Sequence, residues 1–506
     1  MRRLFSLALL WAIFLVSVNI HADNLIILTT NDTHSQIDPL DNGKGGAARR
    51  KGAIDSVRRI NGNVLLVDAG DAVQGTMYFT IYKGEVEYSL MDKLGYDVAV
   101  LGNHDFDNGV EALAANLKDS HIAWLTANYD LSGAPGLDSV FVPSIIKEYS
   151  GKKVGVFGIN LVPEGMIAKG NYDGVVYLDA IATAQKSADS LRAAGADYVI
   201  AVTHIGYDGN IEPNDCMLAT ATSGIDLIIG GHSHSFIDPE SNMTERFHWK
   251  HLNAEGDTVA VIQTGSRGEN IGEIILNLEN GKMQYGLIPI DSSFDSNLDP
   301  ETVAFIDSYR QAVDSIMSVA IGTTARKLGK EDAGLMNFLG DFVAWQGKKI
   351  AGCDIDFSLI NAGGVRRELP EGEISKGMLI DMLPFNNKVV VLDISGADLL
   401  DAIYGVIRRG GFDGTNTGTA VIFDPDTKLP VTATLNGRAI EPDRIYTMAT
   451  IDYLANGGDY MTSLTRATEK ARSSNVLYDD LIEYVSSEWA GKPIDAEPQR
   501  RIVPLF

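Results

Sequence analysis

The feature that most limits how this chain can fold is a repeated pairing. An apolar run of strand length stops at a cluster of side chains that can ligate. Its fullest instance is Val98–Gly109, where Val98-Ala99-Val100-Leu101 runs into Gly102-Asn103-His104-Asp105-Phe106-Asp107 and Asn108-Gly109 turns the chain away. Burying such groups without partners costs on the order of several kcal/mol each, so they need water, one another or a metal. The same pairing recurs along the first half. Asn24–Thr30 closes in Asn31-Asp32-Thr33-His34, and Val64–Val67 in Asp68-Ala69-Gly70-Asp71. Tyr198–Val202 closes in Thr203-His204, and Ile225–Ile229 in Gly230-Gly231-His232-Ser233-His234. Helical spacing fills the intervals at Ala47–Ile60, Glu85–Leu94, Val110–Lys118 and Ala180–Ala194. In layered α/β folds the C-terminal strand edge is where ligands bind. Val259–Thr264 and Glu273–Leu278 read as two strands paired with one another, with Asn280-Gly281 as a turn.

The strand-end residues Asp32, His34, Asp71, Asn103, His204, His232 and His234 supply three oxygen donors and four imidazoles. That suffices for two metal ions with one carboxylate bridging them. Mixed nitrogen and oxygen donors suit zinc, manganese or iron, whereas a magnesium or calcium cage would not use four histidines. Two ions roughly 3.5–4 Å apart clamp a phosphoryl oxygen and activate water for in-line attack. Taken singly, each motif is an ordinary surface loop; the ordered set carries the argument. The remaining histidines fit no motif, and His248 and His251 read as solvent-exposed.

The net charge of −25 disfavours a nucleic-acid polymer as partner, so an anionic substrate would be held only by local cations. Cys216 and Cys353 are too few and too far apart to imply a disulfide framework. Met1-Arg2-Arg3, an apolar run from Leu4 to Val18 and Ala22 form the pattern of a cleaved export signal. The expected product is secreted, periplasmic or at the cell surface, with no stable membrane insertion after cleavage. From Asp299 to about Ala320 an amphipathic helix reads as a linker, and histidine is absent from 252 onward. Beyond it, Asn361-Ala362-Gly363-Gly364-Val365-Arg366, Leu383-Pro384-Phe385 and Asp452-Tyr453 through Asp459 form polar, aromatic loops. Arginine there can fork onto phosphate, and aromatics can sandwich a base. Composition alone favours core packing of Phe385 and Tyr453.

NDTH, DAGD, GNHDFDNG, THIG and GGHSH resemble the ordered signatures of the calcineurin-like metallophosphoesterases. GNHDFD in a secreted two-domain chain resembles their 5′-nucleotidase/UDP-sugar hydrolase branch. The resemblance implies a four-layer α/β/β/α metallophosphoesterase domain over 23–298, after a signal peptide over 1–22. A linker helix over 299–320 and a C-terminal α/β nucleotide-binding domain over 321–506 would follow. It implies one ion, zinc or manganese, on Asp32, His34, Asp71 and His234, and a second on Asp71, Asn103, His204 and His232. His104 and Asp107 match the catalytic pair, Asp68 steadies its neighbours, and Asp105, read as lying outside the pair, takes no role. Phe385 and Tyr453 would stack the base, Asp459 would lie near the nucleoside, and Asn361 and Arg366 would help bind it or its phosphates. Two departures stand out. The family's Asn-Gly-Gly-Gly run is Asn361-Ala362-Gly363-Gly364, and ahead of the first helix of this domain, where relatives carry further arginines, the chain reads Arg326-Lys327-Leu328-Gly329-Lys330 in no clear register. The expected activity is release of phosphate from nucleoside 5′-monophosphates, extending to diphosphates or UDP-sugars. The alternatives are a 2′,3′-cyclic-nucleotide phosphodiesterase with 3′-nucleotidase activity, and a catalytically silent nucleotide-binding protein. Oligomeric state is left open.

Overall fold

Two α/β bodies joined by the helix Pro300–Met317 make up the computed structural model, which describes residues 24–40, 42–209, 213–240 and 248–505. The export signal expected over 1–22 lies outside the described residues. In the first body, strands Asn24–Thr30, Val64–Asp68, Val98–Ala99, Ala123–Leu125 and Phe141–Val142 run parallel, in that spatial order. Asn270–Asn277 and Met283–Pro289 extend the Asn24 edge antiparallel, giving seven strands. A second, six-stranded sheet has Lys152–Asn160, Tyr198–His204, Leu227–Ile229 and Thr258–Ile262 parallel at its centre and antiparallel strands at both edges.

Alternation along the first strand shows why the sheets stack. Leu25 and Ile27 pack with Leu65 and Val67 against Val154, Val156 and Val202 of the second sheet. Ile26, Leu28 and Leu66 face the other way, onto Ala53, Ile54, Leu90 and Leu94 of helices Ala47–Ile60 and Glu85–Leu94. On the outer face of the second sheet, helix Ala180–Ala193 buries Ala180, Ala184, Ala188 and Leu191, the stripe that a 3.6-residue period produces. The result is the expected α/β/β/α sandwich.

One expected pairing fails. Thr258–Ile262 and Asn270–Asn277 lie in different sheets. The first has four successive buried residues and suits a strand covered on both faces; the second sits between Asn24–Thr30 and Met283–Pro289. Asn280-Gly281 turns the Asn270–Asn277/Met283–Pro289 hairpin instead. The loop between the two strands, with Gly265 and Gly268 at positive φ, carries the chain from sheet to sheet.

Asp299 accepts the Thr302 N–H at 2.8 Å and starts the joining helix, with Pro300 in its first turn. This helix touches both bodies. Tyr309 meets Tyr82 edge-on with ring centres 4.8 Å apart, and Met317 packs so closely on Gly377 that a Cβ there would lie 2.0 Å from its sulfur. In the second body, helix Ala333–Ala351 buries Leu335, Leu339, Phe342 and Val343 behind a four-stranded sheet of Phe357–Ser358, Ile445–Ile451, Val389–Ser395 and Thr468–Arg472. Cys216 and Cys353 are free thiols, and no helix among the described residues is long and apolar enough to cross a membrane.

Candidate metal centre and substrate cleft

The strand-end residues of both sheets converge on one edge of the sandwich. Ligand atoms of Asp32, His34 and His234 all lie within 4.8 Å of one another, and so do those of Asp71, His204 and His232. The groups adjoin: His204 Nε2 is 3.2 Å from Asp71 Oδ2 and 4.0 Å from Asp32 Oδ1. The Asn103 side-chain Oδ1 stands 2.9 Å from His232 Nδ1. His34 and His234 aim their Nε2 atoms at one point, 2.9 Å apart. Backbone strain concentrates on the same residues. Asp32, His34, Asp71, His232 and His234 all have φ between 48° and 76°, a region that non-glycine residues rarely adopt. At Gly102, any Cβ would fall 2.1 Å from Asp71 Oδ1, so only glycine lets the two loops close on this carboxylate.

The donor set fits divalent cations. His204 donates Nδ1–H to the Ala69 carbonyl at 2.6 Å, which fixes the tautomer and leaves Nε2 buried with no hydrogen-bond partner. Burial opposes a cation at His204, yet Asp71 and Asp32 push its pKa up to about 10; the centre draws positive charge. His34 and His232 sit at about 4, lowered first by burial, so both are neutral donors. The Asp32 carboxylate is steered by Asn31 Nδ2 at 2.5 Å and by the His232 N–H at 3.0 Å.

His104 lies against this centre, its ring 5.5 Å from that of His34, and donates Nδ1–H to Asp107 Oδ2 at 3.0 Å. Burial disfavours the imidazolium, but Asp107 and Asp71 outweigh it and hold the pKa near 9. Asp105 corrects the sequence reading that gave it no role. It is buried, with Oδ2 accepting the Gly102 N–H at 2.6 Å and the Asp71 N–H at 3.2 Å, and Oδ1 accepting the Tyr88 hydroxyl at 2.7 Å. It thereby ties the Asp71 loop to the loop bearing Asn103 and His104. Asp68 accepts from Thr30 Oγ1 and the Gly70 N–H and so braces a turn. Asp215, which no sequence signal marks, is buried behind His204 and accepts from Thr203 and Gln263. His248 and His251 are half-buried, not solvent-exposed: their rings stack at 4.3 Å, and His251 Nε2 is 3.2 Å from the Tyr207 hydroxyl.

A cleft of about 690 Å³ opens over the centre, lined by His34, Asn103, His104 and His234 on one side and by Arg366, Arg367 and Pro384 of the second body on the other. The nucleoside-side residues form a separate group. Asn361 Nδ2 donates to Asp459 Oδ2 at 2.8 Å, and the Tyr453 hydroxyl to Asp459 Oδ1 at 3.0 Å. Phe385 lies under the Arg366 guanidinium, 4.9 Å from ring centre to carbon, and shares a small pocket with Asn361. Phe385, Tyr453, Asn361 and Asp459 do not line the main cleft. Arg326 is paired with Asp332, and Lys327 with Glu368 at 2.5 Å; neither reaches the cleft, nor does Lys330.

Two stacked sheets that deliver aspartate, asparagine and histidine to one edge in this order define a calcineurin-like phosphoesterase, and residues 25–236 match that family. Residues 312–466 match the 5′-nucleotidase C-terminal domain. The chain belongs to the two-domain 5′-nucleotidase branch of the calcineurin-like metallophosphoesterases. It is 29% identical to the snake venom 5′-nucleotidase of Naja atra over 90% of this chain and 94% of that one. It is 28% identical to the 5′-nucleotidase of Homo sapiens over 86% and 83%. A trifunctional nucleotide phosphoesterase of Bacillus subtilis is 27% identical over 96% of this chain, which spans only 35% of that longer protein. The crystal structure of a 5′-nucleotidase precursor from Thermus thermophilus superposes with a TM-score of 0.78 at 27% identity, covering 95% of this chain and 99% of that one.

Proposed function

We propose that the protein hydrolyses nucleoside 5′-monophosphates to nucleoside and phosphate at this centre. The observation that carries the reading is the convergence of two ligand groups beside His104, in a cleft whose far wall is the second body. Asp32, His34, Asp71 and His234 would hold one divalent ion, and Asp71, Asn103, His204 and His232 the other, with Asp71 shared. When bound, the two ions supply Lewis-acid charge to the phosphoryl group and lower the pKa of water. His104, its Nδ1–H engaged by Asp107, holds a proton at Nε2 toward the cleft, where it stabilises charge on a phosphoryl oxygen and assists the leaving group. Asn103 and His104 sit on a loop that Asp105 clamps, so their positions are set before substrate arrives.

Phe385 and Tyr453 stack the base in this reading, Asp459 and Asn361 hold the nucleoside, and Arg366 meets phosphate. Because Phe385, Tyr453, Asn361 and Asp459 lie outside the cleft, the second body, from about residue 321, must rotate about the joining helix to bring the scissile bond to the metallophosphoesterase domain. The expected setting is extracytoplasmic, in keeping with the sequence of residues 1–22.

The test compares hydrolysis of 5′-AMP and 2′,3′-cyclic AMP by manganese- and zinc-loaded protein. Faster turnover of 5′-AMP is expected. Dominance of the cyclic ester would assign the alternative phosphodiesterase activity, and no turnover of any ester would leave a binding protein.

A further inference from the structure

A loop that the metal-centre reading does not use crosses the mouth of the cleft. Between the two sheets the chain passes through Gly265-Ser266-Arg267-Gly268, and Arg267 stands exposed there with φ 58°. Its backbone is fixed. The Arg267 N–H donates to the carbonyl of Asp32 at 2.7 Å and the Gly265 N–H to that of Ser235 at 3.0 Å, so the turn is tied to both ends of the centre. At Gly268 a Cβ would fall 1.9 Å from Arg50 Nη1, so the turn packs directly against the buried Arg50 side chain.

The Arg267 guanidinium makes no ion pair or hydrogen bond among the described residues, and neither does that of Arg366. Both line the same cleft, one from each body. Burial and the facing Arg267 lower the Arg366 guanidinium from its ordinary range, as expected of like charges brought together. Two of the carboxylates that line the cleft are engaged elsewhere, Asp38 with Arg310 and Tyr78, and Glu269 with Lys44 at 3.5 Å. Arg366 lines the cleft and also lies over the Phe385 ring, and Phe385 shares a small pocket with Asn361, which is hydrogen-bonded to Asp459. A nucleotide carried on the second body brings Arg366 with it, and Arg267 meets it from the metal side of the cleft. Together they supply more cationic charge than a monophosphate, its one phosphate drawn to the ions, requires.

We propose that Arg267 and Arg366 bracket a second phosphate, the one joining the nucleoside to the scissile group, and that Arg267 is a specificity-determining residue for nucleoside diphosphates. The direction in which the substrate lies rests on the 5′-nucleotidase reading. In the reaction a water oxygen bonds to the terminal phosphorus and the bridging P–O bond breaks. Its electron pair leaves with the nucleoside monophosphate.

The test uses full-length, manganese-loaded protein with Arg267→Gln and Arg267→Lys. For Arg267→Gln the ratio of kcat/KM for ADP to that for AMP falls about tenfold or more, and Arg267→Lys recovers part of it, because lysine keeps the charge but not the fork. A ratio within about twofold of wild type overturns the proposal, as does wild type that cleaves AMP but not ADP. In parallel, calorimetry measures binding of inorganic pyrophosphate and phosphate. Arg267→Gln weakens pyrophosphate about tenfold more than phosphate; equal weakening overturns the proposal. The binding arm decides the arginine pair even if wild type turned over neither nucleotide, a result that would sink only the 5′-nucleotidase reading.

Discussion

Removing the Asp105 carboxylate should damage the protein out of proportion to its distance from substrate. Asp105→Ala strips the acceptor from two buried backbone N–H groups, on Gly102 and Asp71, and from the Tyr88 hydroxyl. A buried donor left without a partner costs about 1–3 kcal/mol. With the Asp71 contact the longest of the three, the sum is roughly 3–6 kcal/mol. Asp105→Asn keeps the shape and one carbonyl oxygen for the two amides, and the Tyr88 hydroxyl can turn to accept from the new NH2. Only the charge-assisted part is lost, about 1–2 kcal/mol. The comparison is made by urea unfolding of manganese-loaded protein, with metal content by mass spectrometry and turnover of 5′-AMP. Asp105→Ala is expected to lose stability and the ion shared by Asn103 and His232, and Asp105→Asn to keep most of both. If the two variants unfold within about 0.5 kcal/mol of one another, the clamp is not what holds the loop. Wild-type metal content in Asp105→Ala would refute the coupling of the clamp to the centre.

His104→Ala should lower turnover of 5′-AMP by about 10²- to 10⁴-fold with metal content unchanged; loss of metal would place His104 among the ligands instead. Chelation should lower the melting temperature, because ions that bind only the folded chain stabilise it by about 4 kcal/mol at a thousandfold excess over Kd. Asp71→Asn should abolish most of that difference in calorimetry with and without manganese. Glu87 is buried, and burial first of all lifts its pKa from 4.5 to about 7, against the hydroxyl of Ser35. A folded value above the ordinary one means the native chain binds the proton more tightly, so stability falls as pH rises from about 4.5 to about 7. The loss is roughly 3 kcal/mol at most. Glu87→Gln should be more stable than wild type at pH 8 and show a flatter profile between pH 5 and 8; an unchanged slope in urea unfolding would refute this.

Strand ends and the side chains able to ligate that follow them were legible because each is local. Apolar runs such as Asn24–Thr30 and Val64–Asp68 declare strands by composition, and the polar cluster that follows has no place in a core. Long-range pairing was not legible. Thr258–Ile262 and Asn270–Asn277 are near neighbours in sequence, and only the packing of two sheets places them in separate layers. His251 looked solvent-exposed until the Tyr207 hydroxyl, far away in sequence, closed on it.

By itself, the sequence determined the chemistry on offer: Asp32, His34, Asp71, Asn103, His204, His232 and His234 at strand ends, with His104 and Asp107 three residues apart. Tertiary structure decided which of these meet, and what stands around them. Asp105 became the clamp between the loop bearing Asp71 and the loop bearing Asn103, and Asp215 the brace behind His204. Arg267 came to face Arg366 across the cleft. Such roles depend on donors, acceptors and charges brought together from distant parts of the chain. A residue's identity records what it can offer; only the fold supplies the group that takes it.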